Sequence, residues 1–222
     1  LARPNALNAL TLPMIQAIQK QLLAWQTDDS IRAVVIQAEG EKAFCAGGDV
    51  RWLYEKGRQH KQEQHNQEAM QFFWHEYRLN HLIHHYPKPY IALLNGITMG
   101  GGVGVSLHGS HPIASEQFKF AMPETTIGFF PDIGASHLLT RCPGEVGTYL
   151  GLTGHRLNAE EALFCGLVKA MVPTQHFSKL VDMLAEIKLE GDAFKTVDQC
   201  IQALAMQTVG HSEERGLPLK MA

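Results

Sequence analysis

Two acids and two glycine-rich turns are the residues of this chain best suited to chemistry. Glu124 follows Pro123 at the end of the apolar stretch Phe120 to Met122, and Asp132 stands behind Phe129, Phe130 and Pro131. Carboxyl groups in such company lose hydration, which raises their pKa and can poise one of them near neutrality as a proton donor or acceptor. The turns are Phe44-Cys45-Ala46-Gly47-Gly48-Asp49 and Gly100-Gly101-Gly102-Val103-Gly104. Without Cβ atoms, both backbones can approach a planar carbonyl closely. Paired N–H groups there would stabilise the oxyanion or enolate that forms when a thioester reacts.

Each feature also has a plain structural reading. The glycines could serve tight turns and close helix packing, Glu124 could cap a turn through Thr125 and Thr126, and Asp132 could N-cap a helix at Ile133. Other chemistries fail on spacing. The second glycine turn lacks the Lys of a phosphate loop, and Val105 or Leu107 stands where a dinucleotide fingerprint needs its third glycine. Gly104-Val105-Ser106-Leu107-His108 ends in His, so Ser106 does not match a nucleophile elbow. Six of the twelve histidines fall between His60 and His85, and His81 and His85 have the i, i+4 spacing of a metal pair. No carboxylate or Cys cluster completes a shell; a solvated helix face is the expectation, with no metal.

The elements that must position these residues alternate. Thr11 can cap a helix with Ile15, Ile18, Leu22 and Trp25 on one face. Residues 33–38 read as a buried strand leading into the first glycine turn, after which Asp49 can N-cap a short helix through Val50, Leu53 and Tyr54. Residues 59–86 read as one or two helices with a stripe of Phe73, Tyr77, His81 and His84, ended by Pro87 and Pro89. A strand at Tyr90 to Leu94 runs toward the second glycine turn, so strand, glycine turn and helix recur. A short strand over 112–115, helices over 133–139 and 146–152, and a capping box at Asn158 and Glu161 follow. Another helix is expected over 174–189; beyond Gly191 the pattern weakens, and 210–216 reads as a loop or cut end. Such alternation predicts an α/β fold with ligands at loops after strand ends.

Composition narrows the partners. With 222 residues, 45% hydrophobic, the chain can build a substantial core. A net charge of −3 offers no broad positive field, so nucleic acid is not expected. No apolar run approaches the roughly 20 residues of a membrane span. Cys45, Cys142, Cys165 and Cys200 are scattered, which fits a reducing compartment: the cytoplasm is expected, or the mitochondrial matrix in a eukaryote. The chain opens at Leu1 without Met and reads as a fragment.

Four blocks in order carry a resemblance. Asn5 to Leu10, Ala43 to Asp49, Asn95 to Gly102 and Phe120 to Glu124 resemble the crotonase (enoyl-CoA hydratase/isomerase) superfamily, over nearly all of the chain to about Pro173. Within it, the blocks F-C-A-G-G-D-V-R, G-I-T-M-G-G-G-V-G and M-P-E-T-T-I-G-F-F-P-D look most like the 3-hydroxyisobutyryl-CoA hydrolases. The resemblance implies a spiral of repeated ββα units over residues 1–173 and a helical C-terminal segment over 174–222. It implies oxyanion donors at the N–H groups of Gly48 and Gly101, coenzyme A along Gly48, Asp49, Val50 and Arg51, catalytic carboxylates at Glu124 and Asp132, and a further substrate-contacting acid at Glu76. Coenzyme A is then part of the substrate and no separate cofactor is expected; a trimer-type homo-oligomer fits the relatives.

One departure separates the subfamilies. Hydratases of this superfamily carry a second catalytic glutamate at the position matching 104, which here is Gly. Hydrolysis of a short 3-hydroxyacyl-CoA thioester is therefore the better expectation than hydration or isomerisation of an enoyl group, with a catalytically silent member as the third reading. A strand normally precedes Leu1 in the family, and the hydrolases carry a longer helical C-terminal part.

Overall fold

The computed structural model describes residues 1–59, 67–186 and 191–206. The Thr11 hydroxyl accepts from the Met14 N–H at 3.4 Å and starts helix α1 (Leu12–Gln26), which buries Ile15 and Leu22 while Ile18 and Trp25 pack at the edge of the core.

Among the described residues, eight short strands form two four-stranded sheets. β1 (Val34–Ile36), β3 (Tyr90–Leu94), β5 (His111–Ala114) and β8 (Ala170–Met171) lie side by side in parallel. β2 (Ala43–Cys45), β4 (Ile97–Met99) and β6 (Lys119–Ala121) form a second parallel set, closed by the antiparallel β7 (Leu157–Asn158). The pairs β1/β2, β3/β4 and β5/β6 each send the first strand to one sheet and the second to the other, so each of these ββα turns adds one rung to both, while β7 joins the second sheet and β8 the first. This is the ββα spiral the resemblance implied.

The second sheet corrects the reading from periodicity. That reading passed from one strand straight into a glycine turn, whereas β2 and β4 intervene. Three residues are too few to establish an alternation. The strand expected over 33–38 is shorter as well, and only Val34 in it is fully buried.

Helix α2 (Val50–Gln59) starts where Asp49 was expected to cap it: the carboxylate accepts from the Trp52 N–H at 3.2 Å. Helix α3 (Gln67–His84) packs along α1 and presents Phe72, Glu76, Leu79, Asn80 and Ile83 inward. His60 and His65 lie outside the described residues. The turn α4 (Gly101–Gly104) follows β4 directly. Helix α5 (Ala135–Leu139) begins later than Ile133, because Ile133 and Gly134 both have positive φ, +44° and +77°. Helix α6 (Val146–Thr153) and α7 (Ala159–Phe164) follow, the latter with the expected reciprocal bonds between Asn158 and Glu161.

At the C-terminal side, α8 (Phe177–Glu186) is preceded by a single 3-10 turn at Thr174–His176. The weak pattern after Gly191 hides a real helix, α9 (Ala193–Leu204), capped by Asp192, which accepts from Phe194 and Lys195 N–H. Leu180, Leu184, Val197, Cys200 and Ile201 of these helices bury against Ile91, Leu93 and Ile113 on the outer face of the first sheet. Residues 210–216 lie outside the described residues. All four cysteines are buried free thiols. Among the described residues no helix is long and apolar enough to cross a membrane.

Candidate active site

The two glycine turns meet. A Cβ on Gly101 would lie 3.3 Å from the Gly48 nitrogen, and one on Gly47 would lie 3.8 Å from the Gly101 nitrogen. Leu10 holds the first turn from behind, donating to Gly47 O at 2.8 Å and accepting from Asp49 N–H at 2.9 Å. Among the described residues, neither Gly48 N–H nor Gly101 N–H is used in a backbone bond outside the regular elements. Gly101 opens α4, where the first N–H groups have no partner inside the helix. The two backbone nitrogens therefore lie close together at the meeting of the turns.

Two acids abut these turns, and the charge of a third, Asp132, reaches both of them. Glu76 is 2% exposed, and its Oε1 sits 2.3 Å from where a Gly101 Cβ would be. Glu124 is 7% exposed and places Oε1 3.1 Å from a Cβ position on Gly100, a residue at φ +47°. A side chain at either glycine would crowd the neighbouring carboxyl. Glu76 Oε1 and Glu124 Oε2 are both buried without a hydrogen-bond partner. Burial, then the charges of Asp132 and Glu124, pushes Glu76 up to about 8. Burial also raises Glu124 to about 7, with the charge of Asp132 adding to it and a bond from its own N–H opposing it. Close to neutral pH, then, Glu76 is mostly a hydrogen-bond donor and Glu124 divides between base and acid.

Asp132 is partly buried and raised by that burial, while the Tyr77 hydroxyl, donating to its Oδ2 at 2.6 Å, opposes the rise. Its side chain does not cap α5; only its carbonyl serves the turn, accepting from Ala135 N–H at 2.7 Å. Nor does the Glu124 side chain cap the 3-10 turn Glu124–Ile127 that it begins. The plain structural alternatives for both acids are thus not what the side chains do.

An aromatic wall encloses the acids. Phe72 and Phe73 meet edge to face at 5.6 Å, and Phe73 stacks on Phe129 at 5.8 Å and contacts Tyr77 at 5.9 Å. This wall explains the desolvation: α3 supplies one side, the 124–132 loop the other. Tyr77 was expected only as part of a covering stripe, and its bond to Asp132 had no signal in the local sequence.

The residues expected to contact coenzyme A follow the first glycine turn. Asp49 is committed on both oxygens, to Trp52 N–H and to Arg3 at 3.1 Å. Val50 is exposed on the first turn of α2, and the exposed Arg51 pairs with Glu55 at 3.5 Å. Ser106 is fully buried and donates to Gly102 O at 2.6 Å, which removes it as a nucleophile. His81 and His85 stack at 4.3 Å, a geometry that does not converge on one ion.

Gly104 has a structural counterpart that sequence reasoning missed. A Cβ there would fall 2.7 Å from the amide oxygen of Asn80, a buried α3 residue. With its amide turned to donate, Asn80 reaches Gly104 O at 3.2 Å and Glu76 O at 3.3 Å. The space a side chain at 104 needs is already filled.

Comparison with known proteins places this geometry. A family model described as "Enoyl-CoA hydratase/isomerase" matches residues 1–220. The chain is 47% identical over 188 residues to the mitochondrial 3-hydroxyisobutyryl-CoA hydrolase of Danio rerio, covering 85% of this chain and 48% of that protein. It is 46% identical over 187 residues to a small ribosomal subunit protein of Neurospora crassa, covering 84% of this chain and 36% of that one. Among solved structures, a carnitinyl-CoA dehydratase from Mycobacterium thermoresistibile superposes with a TM-score of 0.82 at 38% identity, covering 93% of this chain and 57% of that one. The chain thus spans about half the length, or less, of the curated relatives it matches.

Proposed function

The chain belongs to the enoyl-CoA hydratase/isomerase family, and from that premise we propose that it hydrolyses a short-chain 3-hydroxyacyl-CoA thioester, 3-hydroxyisobutyryl-CoA of valine breakdown first among them, to the free acid and coenzyme A. The observation that carries the reading is the close approach of the Gly48 and Gly101 turns beside the buried Glu76 and Glu124, the latter raised to about 7, with the partly buried Asp132 near both.

In this mechanism the thioester oxygen accepts from the Gly48 and Gly101 N–H groups, which stabilise the negative charge of the tetrahedral intermediate. Ionised Glu124 either removes a proton from water as it attacks the carbonyl, or attacks directly and forms a mixed anhydride that water then cleaves. The carbon–sulfur bond breaks in either route and the thiolate takes up a proton. Asp132, held by Tyr77, binds the substrate hydroxyl or orients the water, and protonated Glu76 donates to the acyl group. Val50 and Arg51 flank the coenzyme. No separate cofactor is required.

A panel of acyl-CoA esters assayed with a thiol reagent tests the proposal. Free coenzyme A released fastest from 3-hydroxyacyl esters supports it; enoyl absorbance without free thiol would transfer the chain to the hydratases. That second outcome is disfavoured by Asn80 filling the space at Gly104. A catalytically silent member is the other reading, favoured by the similarity to a ribosomal subunit protein. Tight coenzyme A binding with no turnover of any ester would support it. The assembly proposed is a trimer-type homo-oligomer, in the cytoplasm of a bacterium or, as the names of several relatives suggest, the mitochondrial matrix of a eukaryote.

A further inference from the structure

Asp132 is fixed by its carboxylate to Tyr77, but its backbone is held by an unusual turn. Asp132 O accepts from Ala135 N–H at 2.7 Å, so Ile133 and Gly134 are the central residues of a four-residue turn, and both have positive φ. Such turns favour Gly, Asn and Asp. A β-branched residue at φ +44° is an outlier that persists only where its surroundings hold it.

What holds it is His108. This residue, 8% exposed, brings Nε2 to 2.6 Å from Ile133 O. A carbonyl only accepts, so the ring carries its proton on Nε2 and donates. The Cε1 and Nε2 atoms of the same ring lie 2.9 Å from where a Gly134 Cβ would be, so the ring packs against the turn and crowds any side chain at position 134. Its Nδ1 is buried without a partner. The titratable and charged groups facing the ring are His84 from α3 and His137 and Arg141 from α5 and the turn after it. Burial disfavours a second proton most strongly; the bond to Ile133 O opposes it, the three neighbouring groups add to it, and the net shift is downward, toward the neutral donating form.

We propose that His108 is a positioning residue for Asp132, acting through the Ile133 peptide. Rotation about the Ile133 N–Cα bond swings Asp132 relative to α5, so releasing the carbonyl lets the turn relax to negative φ and draws the carboxylate away from Tyr77. His108 and Tyr77 are then two clamps on one acid, one on its backbone and one on its side chain. This inference rests on the hydrolytic reading of the site.

The test compares His108→Leu, which fills the space without a donor, with His108→Gln, whose amide can reach the same carbonyl. For the leucine variant we expect kcat toward the preferred 3-hydroxyacyl-CoA to fall about 100-fold with KM within roughly twofold, the loss that a misplacement on the order of 1 Å produces. The glutamine variant should recover most of the rate. Crystal structures of both variants should show Ile133 at negative φ and the Tyr77–Asp132 bond broken in the leucine protein only. A leucine variant with wild-type kcat, or with the turn and the Tyr77 bond intact, overturns the inference. If the wild-type chain hydrolyses no ester, the functional reading fails on its own, and the Ile133 geometry still decides the positioning role. If the leucine variant does not fold, unaltered geometry and kcat in His108→Phe overturn the inference, whereas the losses described support it.

Discussion

The Tyr77 hydroxyl donates to Asp132 Oδ2 at 2.6 Å, joining helix α3 to the loop that carries this acid across 55 positions of sequence. Removing this donor with Tyr77→Phe leaves the ring in its aromatic wall. A hydrogen bond to a charged group contributes about 1.5–3 kcal/mol, so kcat/KM for thioester hydrolysis should fall roughly 10- to 100-fold. Because the Tyr77 bond opposes the rise of the Asp132 pKa, any limb of the pH–rate profile that depends on this acid should move upward. An unchanged rate and profile would mean that the bond serves structure alone.

Glu124→Gln removes the proposed base while keeping shape. General-base catalysis is typically worth about 10²–10⁴ in rate, and kcat should fall by that much. The fold should survive, since an uncharged amide is easier to bury than a carboxylate. Coenzyme A release measured beside a thermal melt checks both halves; retained hydrolysis would assign the base elsewhere.

Activity and stability should respond to pH in opposite senses. If Glu124 acts as the ionised base, kcat/KM rises with pH through a midpoint near 7. Glu76 and Glu124 are raised in the folded state, to about 8 and about 7 from an ordinary 4.5. Between those values the folded chain binds more protons than the unfolded one, so stability is fullest below about 4.5, as far as these two acids contribute, and declines as pH rises through 7 and 8. The slope is at most about 1.4 kcal/mol per pH unit for each proton. Denaturant melts from pH 5 to 9 should show the decline, and Glu76→Gln should flatten it; an unaltered slope in that variant would contradict the burial argument.

Gly104→Glu should not create a hydratase. The added side chain meets the Asn80 amide at 2.7 Å, so the single variant should lose stability and show no enoyl formation. Pairing it with Asn80→Gly opens the space and should restore folding in part. Enoyl absorbance from the single variant, with normal stability, would show that Asn80 does not block the position.

Local grammar was legible in the chain itself. The Thr11, Asp49 and Asn158 caps, the glycine turns and the strand Tyr90–Leu94 follow from neighbours a few positions apart, and each was read where it forms. Apolar flanks also foretold the direction in which Glu124 and Asp132 shift. The second sheet was not legible, because strands of three residues carry too little pattern; α9 was not read from the residue pattern, although Val197, Cys200, Ile201 and Leu204 recur at helical spacing, and only the resemblance implied helix there. Only the tertiary structure decided that Glu76 abuts Gly101, that Asn80 fills the space at Gly104, and that His108 grips Ile133. Those encounters join distant positions, and side-chain type sets what a residue can do while chain packing sets whom it meets.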